Sequence, residues 1–332
     1  MSSPLGIAVS GGPRPSEIIE LVVLAESLGY DSAWIAEGHG GDQFSVLSGC
    51  ALQTSRIRLG TAISSIFVRS IPTIAMAAAT VDDLSHGRFI LGVGSSHRVQ
   101  VVPEHGLEYA KPITRLRESV TIIRQLLATG ATQFDGETVK IENFDLWFQP
   151  RRTALPIYAA AVRPKMMAVC GEIADGIILT RSTLQTGTQV KTQLATGAAL
   201  ANRDPSKIEV TSLLPVAVAE TRAEALNAMR PGLMFYVGFF PRYRQMIADY
   251  GFVEETSAVA DAFAKGEREL ALRHVTDAMI EATSIAGTPS ECRERIEAYR
   301  ASGIDLPIIS PFARGPNAKA TFEAVIRACA PS

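Results

Sequence analysis

The residues best suited to chemistry gather in two short runs. Gly92-Val93-Gly94-Ser95-Ser96-His97 closes an apolar stretch with two glycines and two serines, small residues that let backbone N–H groups approach a phosphate or a ring carbonyl. The run begins like a dinucleotide fingerprint but carries His97 where the third glycine belongs, which argues against a nicotinamide-binding turn and leaves a tight strand-to-helix turn as the plain reading. Trp34-Ile35-Ala36-Glu37-Gly38-His39-Gly40 sets a carboxylate two residues from an imidazole, a pairing that suits general acid/base work near neutral pH and equally suits hydrogen bonding to loop backbone. The other histidines, His86, His105 and His274, stand apart. Without HxxxH, HExxH or a Cys/His cluster no catalytic metal is expected, and neither a GxSxG elbow nor a P-loop is present.

These residues must be positioned by the elements around them, and the chain alternates short apolar runs with amphipathic segments over nearly its whole length. The runs predict eight strands: Leu5 to Ser10, Ser32 to Ala36, Ile57 to Ile63, Phe89 to Gly94, Pro156 to Ala160, Gly176 to Thr180, Ile208 to Val218 and Leu306 to Ser310. Most are continuously apolar, as parallel strands covered on both faces are. Between them, Ile113, Leu116, Val120, Ile123 and Leu127 repeat at helical spacing, and Thr221 to Glu224 and Thr288-Pro289-Ser290-Glu291 read as capping boxes. Two stretches break the rhythm: a hairpin is expected near 132–148 around Phe134-Asp135-Gly136-Glu137, and a helical insertion near 235–285. With eight strands and no linker, one closed (β/α)8 TIM barrel over residues 1–332 is the expected fold, and Glu37, His39 and His97 would lie at its C-terminal, chemistry-bearing face.

Composition narrows the classes of function. The 332 residues are 47% hydrophobic, enough for a large core, and 32 basic against 34 acidic residues leave a formal charge of −2, so no basic field exists to hold nucleic acid. No apolar run approaches a membrane span, and Met1-Ser2-Ser3-Pro4 lacks the basic and apolar regions of an export signal, so a cytoplasmic protein without a membrane partner is expected. Four scattered cysteines (Cys50, Cys170, Cys292, Cys329) read as reduced core thiols.

Several segments taken together carry a resemblance: Leu28-Gly29-Tyr30-Asp31-Ser32-Ala33-Trp34; Leu59-Gly60-Thr61-Ala62-Ile63 with Arg69 and Pro72; Ser85-His86-Gly87-Arg88-Phe89-Ile90-Leu91-Gly92-Val93-Gly94; Gly106 to Pro112; Pro156-Ile157-Tyr158-Ala159-Ala160-Ala161; Pro164-Lys165; and Ile173-Ala174-Asp175-Gly176. In order and spacing they resemble the luciferase-like monooxygenase superfamily, and within it the branch that uses the deazaflavin coenzyme F-420, the branch of methylene-tetrahydromethanopterin reductase. The resemblance implies a barrel, usually a homodimer, with the coenzyme across its C-terminal mouth. It implies a non-proline cis peptide at Ala62–Ile63 behind the ring, ring contacts from Ser64 and Ser65, and a loop under the coenzyme tail made by Gly94, Ser95, Ser96 and His97. It implies small residues Ala160 and Ala161 after the fifth strand and an acidic residue near the ring at Glu37. His97 stands where the sugar-phosphate dehydrogenase relative has a glutamate, which counts against that substrate. Arg98, Arg163 and Lys165 could meet a phosphate or the acidic tail.

The function implied is hydride transfer between the reduced deazaflavin and a small organic substrate, with His97, His39 and Glu37, in that order, as candidates for the proton partner. Two alternatives stay open: an FMN-dependent monooxygenase of a two-component system, and a flavin- or deazaflavin-binding protein without turnover. Phe235, Tyr236, Phe239, Phe240 and Tyr243 read as an apolar lid, a dimer contact or a plain helical core.

Overall fold

The apolar runs become eight strands, labelled here β1 (Gly6–Val9), β2 (Ser32–Ile35), β3 (Arg58–Thr61), β4 (Phe89–Gly94), β5 (Ile157–Ala160), β6 (Gly176–Thr180), β7 (Glu209–Val218) and β8 (Leu306–Pro311). In this computed structural model, which describes residues 3–9 and 11–331, each strand pairs in parallel with the next and β8 returns to β1 through Gly6↔Ile308 and Ile7↔Ile309. The sheet is thus a closed (β/α)8 barrel. Ser10, the expected end of the first strand, lies outside the described residues, as do Met1, Ser2 and Ser332.

One face of each strand packs against the outer helices and the other fills the barrel. Inside, Trp34 and Tyr158 lie with ring centroids 5.8 Å apart, among Ala8, Ile90, Ile178 and Ile308. Rings this large need glycine opposite them: a Cβ on Gly60 would fall 2.4 Å from the Trp34 ring, and one on Gly176 2.7 Å from the Tyr158 ring. The N-terminal end of the barrel is closed by polar groups. Tyr158 donates its phenol hydrogen to Glu209, and Arg58 pairs with Asp31 at 2.5 Å and lies 3.9 Å from Glu209.

Outside the ring, the helix Pro112–Thr129 buries the apolar stripe read from its spacing, and Thr221 and Thr288 both close reciprocal capping boxes. The segments Ala131–Asp135 and Lys140–Asp145 pair as an antiparallel hairpin. Between β7 and residue 285 the chain forms five helices, Arg222–Phe239, Pro241–Asp249, Val253–Ala264, Arg268–Arg273 and Asp277–Thr283, which enclose a small core of their own around Leu233, Val237, Ile247, Val259 and Met279. The first of these helices starts well before residue 235 and continues through Pro231, so the break in rhythm read from the sequence falls inside a helix. A three-residue strand, Ile285–Gly287, follows and pairs with the end of β7.

All four cysteines are free and buried. Among the described residues no helix is long and apolar enough to cross a membrane, and no three His, Cys, Asp or Glu side chains cluster as metal ligands would.

Candidate active site

Parallel strands all end on the same rim, so residues just beyond β2, β3, β4, β5 and β6 come together at the C-terminal mouth however far apart they are in the chain. Beyond β3 the Ala62–Ile63 peptide is cis. It is followed by Ser64 and Ser65, which pair as a short strand with Val93 and Gly94 at the end of β4. A Cβ on Gly94 would lie 2.9 Å from the Ile63 side chain and 3.2 Å from Ala160 Cβ, so Ile63, Gly94 and Ala160 form one close-packed floor. Ala161 is buried beside it, its N–H donating to Ile178 O at 3.3 Å. On this floor Ser64 Oγ is fully buried and, among the described residues, has no hydrogen-bond partner.

The loop after β4 continues through Ser95 to Ser96, whose φ is +51°, and then to His97. The His97 ring lies 4.7 Å from both Phe240 and Tyr243, centroid to centroid, so the helical segment between β7 and β8 reaches across the mouth and closes over it. Tyr236 completes this roof, 5.1 Å from Tyr243 and 5.4 Å from Phe240. Arg163, after β5, pairs with Asp249 at the end of the helix Pro241–Asp249 and latches the roof to the rim. Burial under these rings pushes the His97 imidazole down to about 4, and the neighbouring Arg242 guanidinium acts in the same direction. His97 is therefore neutral at pH 7.

Glu37 sits beside the floor in a structural network. It accepts the Ser65 N–H at 2.7 Å and pairs with Arg69, which also reaches Asp42 at 2.5 Å. Burial raises the Asp42 pKa, but hydrogen bonds from Arg69 and Ser45 outweigh it and hold that carboxyl at about 2. Glu37 thereby fixes the backbone of the Ser64–Ser65 strand. His39 is elsewhere: its side chain is 75% exposed and meets Glu104 at 3.0 Å on the outer part of the β4 loop. The structure thus brings Ile63, Ser64, Gly94, Ala160 and His97 to one mouth, supports them with Glu37, and leaves His39 at the surface. Arg98 donates to Tyr109 O at 3.1 Å, and Lys165 is exposed.

One residue that the sequence reading passed over belongs here. Arg181, the first residue beyond β6, is 3% exposed, and its guanidinium carbon lies 4.3 Å from the centre of the Tyr236 ring. The signal available was its position, immediately after a strand, in the slot that supplies the other mouth residues.

A closed parallel barrel whose C-terminal mouth carries an imidazole and a guanidinium between a floor of small residues and an aromatic roof has the architecture of a barrel enzyme. The chain belongs to the luciferase-like monooxygenase family, whose pattern matches residues 2–306. It is 30% identical over 315 residues to a 5,10-methylenetetrahydromethanopterin reductase of Archaeoglobus fulgidus, covering 93% of each chain. Its fold matches the coenzyme F-420-dependent tetrahydromethanopterin reductase of Methanopyrus kandleri with a TM-score of 0.86 at 26% identity, over 98% of both chains. It also shares its fold with an F-420-dependent secondary alcohol dehydrogenase in complex with an F-420–acetone adduct, at a TM-score of 0.78, 22% identity and 99% coverage of both.

Proposed function

We propose that this protein is a deazaflavin-dependent oxidoreductase that moves a hydride between coenzyme F-420 and a small organic substrate. The observation that carries the reading is the mouth floor. Ile63 of the cis peptide, Gly94 and Ala160 leave no room for a further carbon, and Ser64 presents a buried hydroxyl without a partner. A flat conjugated ring with polar edges fits such a floor, since it needs small residues beneath it and offers the hydroxyl a hydrogen-bond partner. Ala62, Ile63, Ser64, Ser65, Ala160 and Ala161 would hold the ring, and Gly94, Ser95 and Ser96 its tail. The coenzyme, when bound, supplies the hydride chemistry.

The protein contributes position, cover and a proton site. Phe240 and Tyr243 pack against His97 and cover part of its ring. Because the His97 imidazole is neutral at pH 7, it enters the reaction as a proton acceptor at a ring nitrogen when the substrate is oxidised, and it returns that proton in the reverse direction. Glu37 acts on the floor through Ser65 and Arg69.

Titration of the purified protein with coenzyme F-420 and, in parallel, with FMN, followed by cofactor fluorescence, tests the reading. Micromolar or tighter binding of the deazaflavin alone is expected; binding of FMN alone overturns it in favour of oxygen chemistry. With the coenzyme bound, His97→Ala is expected to lower turnover at least about tenfold.

A further inference from the structure

Arg181 is held in an unusual setting. Its backbone is left-handed, with φ +50°, and its N–H donates to Leu213 O at 3.1 Å, so the side chain is fixed at the junction of β6 and β7. The guanidinium stacks on Tyr236, one Nη donates to Ser284 Oγ at 3.4 Å, and Nε is buried with no partner. Among the described residues no ion pair includes it. The groups facing it from the packed elements are Tyr236, Tyr243 and Ser284. Burial raises the Tyr243 phenol further above its ordinary value, so that ring supplies no negative charge at neutral pH.

A buried guanidinium without an anion is unfavourable, because its desolvation is offset only in part by stacking on a ring. Arginine stays protonated even so, and its planar fork matches a carboxylate or phosphate with two parallel hydrogen bonds. The fork is also connected to the reacting region. Tyr236 lies 5.1 Å from Tyr243, which lies 4.7 Å from His97, so Arg181 and the proton site contact the same aromatic roof.

We propose that Arg181 is the receptor for an oxyanion, a carboxylate or phosphate, carried by the substrate into the mouth beneath the aromatic roof. The substrate class is then a small acidic molecule whose anionic end anchors at β6 while its reacting carbon lies towards His97. This deepens the hydride-transfer reading and rests on it. The coenzyme's acidic tail has the same chemistry, but the small-residue loop assigned to it follows β4, whereas Arg181 follows β6 and stacks on the roof.

The test uses inorganic phosphate and acetate as probes, at ionic strength held constant with chloride, with the thermal midpoint as readout. The wild type is expected to show a saturable rise. Arg181→Met is expected to weaken the apparent affinity for either anion at least about tenfold. Without anion it should unfold at the same temperature as the wild type or higher, because an unpaired buried charge is gone. Arg181→Lys keeps the charge and loses the fork, and its phosphate response should be intermediate. An anion response equal to the wild type's in either variant overturns the proposal, as does a wild type without a saturable response. Should the Met variant not fold, the Lys variant decides alone. Phosphate that raises the apparent Kd of coenzyme F-420 in the wild type but not in Arg181→Met assigns Arg181 to the cofactor's tail and overturns the substrate assignment. An effect of phosphate on that Kd that is the same in both proteins supports it. The anion response needs no cofactor, so its failure and a failure of deazaflavin binding are separate results.

Discussion

Acidification from pH 7.5 to pH 5 is expected to cost the wild-type protein about 2 kcal/mol more stability than it costs His97→Gln. Burial against Phe240 and Tyr243 lowers the imidazole to about 4 in the folded protein, against about 6.5 when exposed. Above 6.5 both states are neutral and the group contributes nothing to pH dependence. As pH falls below 6.5 the unfolded chain binds a proton that the folded chain refuses, so stability drops. At pH 5 the unfolded state is favoured about thirtyfold by this one site, and below pH 4 the loss levels off at about 3 kcal/mol. Urea unfolding of both proteins at the two pH values gives the double difference, in which all other titrating groups cancel. Equal losses in the wild type and the variant would show an imidazole that titrates normally. The argument for a neutral proton acceptor under the roof would then fail with it.

Ser64→Ala is expected to leave the cofactor-free protein as stable or more stable by about 1 kcal/mol, since it removes an unpartnered buried hydroxyl, while weakening deazaflavin binding about tenfold. Urea midpoints and fluorescence titration read the two effects separately, and unchanged binding would remove Ser64 from the floor. Gly94→Val places carbon against Ile63 and Ala160 and should abolish coenzyme binding at a stability cost of about 1–3 kcal/mol; a variant that binds normally would show that the floor is not the seat. Glu37→Gln retains an acceptor for the Ser65 N–H but loses the pairing with Arg69, and should lower stability by about 1–2 kcal/mol with turnover intact at saturating coenzyme. A hundredfold fall in turnover without a change in stability would instead make Glu37 the proton partner.

The barrel was legible because a parallel strand covered on both sides leaves a continuous apolar run, and because turn residues such as Gly87, with φ +88°, punctuate such runs. Ile285–Gly287 escaped notice since three residues are too few to show a period. The early start of the helix Arg222–Phe239 was masked by Pro231, which reads as a helix breaker; its ring lies on an exposed side, where the Asn227 carbonyl it leaves unpaired can meet water. At the site, order and spacing marked the positions after each strand, but side-chain partners depend on folding distance. Nothing local in the sequence joins Glu37 to Arg69, 32 residues away, or distinguishes the exposed His39 from the half-buried His97. Arg181 shows the limit most clearly, because a charged residue after a strand is ordinarily solvated, and here Tyr236, distant in the sequence, packs over it while it is buried.

The two surfaces that enclose the mouth are distributed differently along the chain. The floor is assembled from strand ends distributed from Ala62 to Ala161, each embedded in the barrel core, so altering it requires many coordinated changes. The roof is one uninterrupted stretch between β7 and β8 with a small core of its own. A single exchange of that stretch, by recombination or by design, would therefore give the barrel a different range of admissible molecules while its seat for the coenzyme passed unchanged from parent to descendant.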